Sequence, residues 1–281
     1  MRAAILVPAP DYPEPWGWAY DVEAGVLERA GIEVEARPWT EPGDLEGFNL
    51  VMPLVAWGYH FDAVRWHGLL DWLERESIPS ANPVPLLRWN SDKRYLAELG
   101  QAGISVIPTR LVEALDEVAL AEARRDYGDT LVIKPPVSAA ADGTHKLGPD
   151  DPLPQDVLGR IMMVQPFLPS VASEGEYSIM LFGGRFSHAI VKRPKAGDYR
   201  VQPHLGGSEM RCEPPAGAIE LARTALAAAP AQASYARVDM VRDGAGNLAV
   251  IELELIEPAL WLQHAPDGGE SFAAAVKAAA A

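Results

Sequence analysis

Ala236-Arg237-Val238-Asp239 and Ile251-Glu252-Leu253-Glu254 flank the turn residues Asp243-Gly244-Ala245-Gly246, and this stretch decides how the chain is read. Two apolar-rich runs around a glycine-containing turn spell a β-hairpin over Ala236 to Val241 and Leu248 to Leu255. Side chains two apart share one face of a strand, so Glu252 and Glu254 project together beside Asp239. Acids inside an apolar run need partners, and oxygen donors gathered this way suit Mg²⁺. The letters Gly244-Ala245-Gly246-Asn247-Leu248-Ala249 fit the dinucleotide fingerprint. They lie between two strands, however, where that motif needs a strand and then a helix, so they read as the hairpin turn.

Upstream, Lys134 follows the apolar strand Leu131-Val132-Ile133 and precedes Pro135-Pro136. A charge at the end of a buried strand needs an anion or must give up its proton. The small residues of Ser138 to Thr144 let backbone amides approach phosphate oxygens, and they suit a lid that closes over them. A strand over Met162 to Phe167 ends in Gln165-Pro166-Phe167-Leu168 and passes to Glu174 and Glu176. That arrangement offers backbone amides to a purine edge and a carboxylate to ribose hydroxyls. Tyr177 to Phe182 and Arg185 to Lys192 flank Gly183-Gly184 and predict a second hairpin.

The first 85 residues predict a βαβ layer with a parallel sheet: strands at Ala3 to Val7, Ile32 to Ala36 and Asn49 to Leu54, with helices ending near Gly31 and spanning Val64 to Glu76. Prolines 79, 83 and 85 mark a boundary. Beyond it, Asn90-Ser91-Asp92 supplies caps for a helix through Gly100. Strands at Ile104 to Arg110 and Thr130 to Lys134 enclose a helix at Glu113 to Arg125, and the alanine-rich tail from Ala273 is weakly helical. Asp11 to Trp18 and Trp57 to Phe61 follow the first and third strands. Ligands of open α/β sheets gather at such strand ends, so these loops are candidates for substrate recognition.

With 24 basic against 39 acidic residues among 281, the net charge of −15 disfavours a nucleic-acid partner. The 48% hydrophobic content is that of a globular protein. A single cysteine, Cys212, excludes an intrachain disulfide and a cysteine-based zinc cluster, and points to a reducing, cytoplasmic setting. The apolar run at the amino terminus is too short for a signal peptide or membrane span. Phosphate-loop, serine-hydrolase and zinc-protease motifs are absent. The six histidines lack metal-ligand spacing and read as core or surface side chains. The sequence allows a homo-oligomer.

Taken in chain order, Lys93, Lys134, the small-residue loop, Gln165 to Leu168, Glu176, Arg200, Asp239, Glu252 and Glu254 resemble the ATP-grasp superfamily of carboxylate–amine ligases, over residues 88 to 272. The resemblance implies an α/β ATP-grasp fold: an N-terminal βαβ domain at residues 1–87, a small lobe at 88–168 and a large lobe at 169–281. The two α+β lobes would clasp the nucleotide. It further implies that Lys93 and Lys134, with Ser138 and Gly143 in the loop, contact ATP phosphates, and that Gln165, Phe167 and Leu168 meet the adenine. Glu176 would bind ribose, with Glu174 as the alternative. Arg200 would contact the γ-phosphate or acyl phosphate, with Lys192 and Arg193 nearby; Lys134 and Arg200, with Mg²⁺, would stabilise the transferring phosphoryl group, and Asp239, Glu252 and Glu254 would hold that Mg²⁺.

Gly197-Asp198-Tyr199-Arg200 followed by His204-Leu205-Gly206-Gly207 is similar to a segment of the glutathione synthetase branch. One departure stands out: Glu254 occupies the place of the asparagine in the family's Glu-x-Asn metal motif. The run Glu252 to Pro258 resembles a bacterial subgroup that includes the ring-closing ligase of cycloserine biosynthesis. The implied activity is an ATP- and Mg²⁺-dependent ligation of a small carboxylate to an amine through an acyl phosphate, giving a linear or intramolecular amide. An ATP-grasp phosphotransferase and a non-catalytic nucleotide-binding regulator are the alternatives.

Overall fold

A computed structural model describes residues 1–195, 197, 198, 200, 201 and 206–280 of the chain. The amino-terminal layer is a parallel sheet of β1 (Arg2–Val7), β2 (Glu33–Pro38) and β3 (Leu50–Met52), ordered β2-β1-β3. β1 is buried from Ala3 through Val7, as expected of an unbroken apolar run in the middle of a sheet. Helix α1 (Gly17–Arg29) makes the crossover, and a 3₁₀ turn at Tyr59–Asp62 leads from β3 to α2 (Ala63–Arg75). Asp62 caps α2 by accepting from the Arg65 amide at 3.0 Å, and the helix buries Trp66, Leu69, Leu70 and Leu73.

The proline-rich stretch breaks the chain and then starts a helix, because Pro85 falls in the first turn of α3 (Val84–Asn90), where a missing amide hydrogen costs nothing. Helix α4 (Tyr95–Gln101) follows. A second sheet, ordered β4-β7-β5-β6, contains β4 (Arg110–Val112), β5 (Leu131–Lys134), β6 (His145–Leu147) and β7 (Met162–Pro166). Helix α5 (Glu117–Tyr127) begins later than the predicted Glu113, because the Asp116 carboxylate accepts from the Ala119 amide at 2.8 Å and fixes its start.

The third sheet is antiparallel, ordered β10-β9-β8-β11-β12. After α6 (Ser170–Ser173) come β8 (Glu176–Phe182), β9 (Arg185–Arg193), β10 (Ser208–Cys212), α7 (Ala218–Ala227), β11 (Tyr235–Arg242), β12 (Leu248–Glu254) and α8 (Glu270–Ala279). The predicted strand over Ile104 to Arg110 is mostly something else. Its first part lies along β12, with Ile107 donating to the Val250 carbonyl at 3.0 Å and Val250 donating to Ser105 at 2.9 Å. β12 is an edge strand whose free backbone groups must be satisfied, and this segment covers part of them.

Asparagine and tyrosine side chains cover the rest. Asn90 donates to the Leu253 carbonyl and accepts from the Leu255 amide, at 2.8 and 3.0 Å. The Tyr95 hydroxyl accepts from the Leu253 amide at 2.8 Å, and Asn82 donates to the carbonyls of Tyr235 and Leu255 at 2.9 and 2.7 Å. One apolar cluster also joins Ile5, Leu27 and Met52 of the first layer to Met180, Phe182, Tyr235 and Phe272. Each such fully buried side chain contributes about 2 kcal/mol. The first 85 residues thus share a core with the last sheet. No helix among the described residues is long and apolar enough to cross a membrane.

Candidate active site

β5 buries Leu131 and Ile133 in the middle sheet and leaves Lys134 at its carboxyl end, 8% exposed. Among the described residues its ammonium makes no hydrogen bond or ion pair. Burial pushes its pKa down; Glu252 opposes the fall and Lys93 adds to it. Lys93 is also buried: its ammonium donates to the Ser138 carbonyl and stands 3.2 Å from Glu252 Oε1. The small-residue loop is thereby tied at one end. Farther along, Gly143 has φ +64° and no space for a Cβ, which would sit 2.9 Å from Pro135 Cγ. Ala140 and Ala141 adopt φ of +51° and +64°, a conformation that strains alanine.

The third sheet meets this loop with charged residues placed by strand register. Glu176 lies opposite Lys192, Asp239 opposite both Ser178 and Glu252, and Arg237 opposite Glu254. Lys192 Nζ bonds to Glu176 and, at 2.9 Å, to Asp239. Arg237 bridges Asp239 at 3.0 Å and Glu254, while the Ser178 hydroxyl donates to Asp239 at 2.6 Å. Burial works against the Asp239 carboxylate, yet Arg237 and Lys192 hold it well below the usual range. Burial raises Glu176, against the pull of Lys192.

Five acids, Glu176, Asp239, Glu252, Glu254 and Glu257, face four cations, Lys93, Lys134, Lys192 and Arg237. The surplus negative charge falls on two of the acids. Burial pushes the Glu254 carboxyl up to about 7, and burial with Glu254 nearby pushes Glu257 up to about 8. Each of Asp239, Glu252 and Glu254 already has a basic partner, and among the described residues no three acids, histidines or cysteines close on a metal position. The donor chemistry nonetheless fits Mg²⁺: carboxylate oxygens on facing strands with excess negative charge.

The remaining predicted residues lie around this network. Gln165 is buried and donates to Thr109 Oγ1 at 2.8 Å; Leu168 packs with Ile107, Val241 and Ala249. The Phe167 amide donates to Thr130 at 3.0 Å, and Lys146 lies 3.9 Å over the Phe167 ring. Glu174 pairs with Arg242 at 2.9 Å, away from the Glu176–Lys192 contact. Arg200 pairs with Asp198 at 3.0 Å. Tyr199, His204 and Leu205 of the Gly-Asp-Tyr-Arg and His-Leu-Gly-Gly segments lie outside the described residues.

Two members of the network were missed in the sequence. Arg237 could have been found from its i, i+2 relation to Asp239, which puts the two on one face. Glu257 follows the end of β12, where no periodicity marks it.

No protein-family model matches the chain. Over 269 residues it is 32% identical to the cycloserine biosynthesis protein DcsG of Streptomyces lavendulae, covering 88% of each chain. The crystal structure of D-cycloserine synthetase DcsG superposes with a TM-score of 0.82 at 25% identity, over 99% of this chain and 100% of that one. A D-alanine–D-alanine ligase from Bacillus anthracis complexed with ATP gives 0.69 at 17% identity, over 100% and 97%. The chain belongs to the ATP-grasp superfamily of carboxylate–amine ligases. It is an ATP-dependent enzyme that forms a carbon–nitrogen bond and uses Mg²⁺.

Proposed function

We propose that residues 1–87 select a small amino-acid-derived acid, while the lobes 88–168 and 169–281 close on Mg-ATP. The observation that carries this reading is Lys134, a buried cation without a partner among the described residues, at the edge of an acid-rich network. Phosphate oxygens would supply what its ammonium lacks. In this reading Lys93 and Lys134, with the backbone of Ser138 and Gly143, hold the phosphates. Gln165, Phe167 and Leu168 line the adenine, and Glu176 meets the ribose, with Glu174 as the alternative.

Asp239, Glu252 and Glu254 would hold Mg²⁺, which when bound offsets charge on the phosphates. Lys192 and Arg200 stabilise the phosphoryl group as the substrate carboxylate attacks the γ-phosphorus and ADP departs. An amine then attacks the acyl carbon and phosphate leaves. Such chemistry rests on positioning and fixed charge, so no serine or cysteine nucleophile is needed. A relative named for D-cycloserine synthesis supports an amine within the same molecule and a cyclic product. We place the enzyme in the cytoplasm, where ATP and Mg²⁺ are at hand.

The test is ADP release with Mg-ATP, hydroxylamine and a panel of D- and L-amino acids. The expected result is ADP and hydroxamate in equal amounts with at least one acid. ADP without hydroxamate indicates a phosphotransferase, and ATP binding with no ADP for any acid indicates a regulator.

A further inference from the structure

His60 sits in the 3₁₀ turn after β3, at the carboxyl end of the parallel sheet, and both of its ring nitrogens are buried with no hydrogen-bond partner among the described residues. Its ring packs on Phe61 at 4.0 Å and edge-on to Tyr59 at 5.8 Å. A neutral imidazole carries one donor and one acceptor, and burying both unmade costs free energy that a phenylalanine in the same space would not. Contrast His188, also buried, whose Nε2 lies 3.0 Å from the Leu260 carbonyl. Among the described residues, the charged groups within electrostatic reach of His60 are Asp142 of the small-residue loop and Lys93. The ring therefore stands where the aromatic loop of the first layer meets the proposed phosphate-binding residues.

Resting on the ligase reading above, we propose that His60 is the proton acceptor for the attacking amine. The amine lone pair forms the C–N bond to the acyl carbon, and the C–O bond to the phosphoryl group breaks with its electron pair going to phosphate. The amine arrives as an ammonium ion: the proton that masks its lone pair passes to the imidazole, which releases it to solvent, and the N–H proton that the amide must still shed leaves with the departing phosphate. Burial holds the imidazole below its usual pKa, Asp142 opposes the fall and Lys93 adds to it, so the ring is neutral and ready to accept near pH 7.

Two nucleophiles of nearly equal size separate this role from the others. Near neutral pH hydroxylamine is largely unprotonated and needs no base, whereas ammonium must lose a proton before it attacks. With an acid that the wild-type enzyme converts to its hydroxamate, His60→Gln and His60→Phe should keep the hydroxamate rate within about threefold. They should lose about a hundredfold or more in amide formation from ammonium chloride. The Tm of His60→Phe should be unchanged or higher, because no unmade hydrogen bond remains.

Equal losses with both nucleophiles, no loss with either, or a wild-type enzyme that takes hydroxylamine but is inert to ammonium would each overturn the proposal. A wild-type enzyme that forms no hydroxamate with any acid overturns instead the ligase reading on which it rests.

Discussion

Asp239 and Glu252 face each other across β11 and β12, yet their carboxylates turn to different cations: Asp239 to Arg237 and Lys192, Glu252 to Lys93. Like charges directly opposed on a sheet repel, so the pair persists only because separate cations divide it, Arg237 from β11 itself, Lys192 from β9 and Lys93 from outside the sheet. Lys93 comes from the segment between α3 and α4, and it also holds the small-residue loop through Ser138. Replacing it with methionine should weaken ATP binding tenfold or more, about 1.4 kcal/mol by calorimetry. It should also lower stability by roughly 1–3 kcal/mol in urea, because Glu252 is left uncompensated. Unchanged ATP affinity would remove Lys93 from the phosphate site.

Stability should fall as pH rises from mildly acidic to mildly basic. Glu254 and Glu257 hold protons in the folded state up to about 7 and about 8, whereas the unfolded chain releases them near its ordinary value of about 4.3. Folding therefore takes up protons across that window and grows less favourable with each step in pH. Asp239 acts oppositely: its depressed pKa adds stability that is complete above about pH 4 and is lost below. Calorimetric scans of the ligand-free protein between about pH 5 and 8 should show a falling Tm, and Glu257→Gln should flatten the slope. A slope that the substitution leaves intact would contradict the assignment.

Gly175 has φ +97°, and a Cβ there would stand 2.5 Å from the backbone carbonyl of Lys192. Gly175→Ala should therefore cost roughly 2–3 kcal/mol of stability. Because the displaced carbonyl belongs to a residue holding Glu176 and Asp239, turnover should fall as well. Denaturation and ADP-release measurements on the same sample check both effects.

Asn82 donates to two carbonyls and accepts from the Ser234 amide at 2.8 Å, all within a buried contact between the first layer and the last hairpin. Asn82→Asp preserves shape but removes both donated bonds and buries a charge. The expected loss is about 3 kcal/mol or more in urea, larger than most single substitutions produce. A loss under about 1 kcal/mol would show that water replaces those bonds.

The hairpin carrying Asp239 and Glu252 was legible in the sequence, since alternation and a glycine turn act over a few residues. So were the parallel first layer and Lys134 at the end of its strand. The segment from Ser105 to Ile107 was not: its apolar pattern reads as a strand, but its partner is the distant edge of β12. Nor could spacing show that Arg237 divides itself between Asp239 and Glu254, which depends on a register fixed across two strands. β10 and α7 went unread because Ser208 to Cys212 alternates weakly and α7 buries only alanines: Ala218, Ala222 and Ala225. His60 looked ordinary because a missing hydrogen-bond partner has no signature in the order of residues.

The stitching of β12 by Asn82, Asn90 and Tyr95 bears on any effort to re-engineer which acid the enzyme accepts. A crossover placed after Pro85, the natural seam by eye, would exchange Asn82 while Asn90 and Tyr95 stay with the strand that carries Glu252 and Glu254, leaving that strand with one borrowed brace. A donor module should instead stop short of Asn82, so that the loops proposed to recognise the acid are exchanged while the acidic strand keeps all three of its own fasteners.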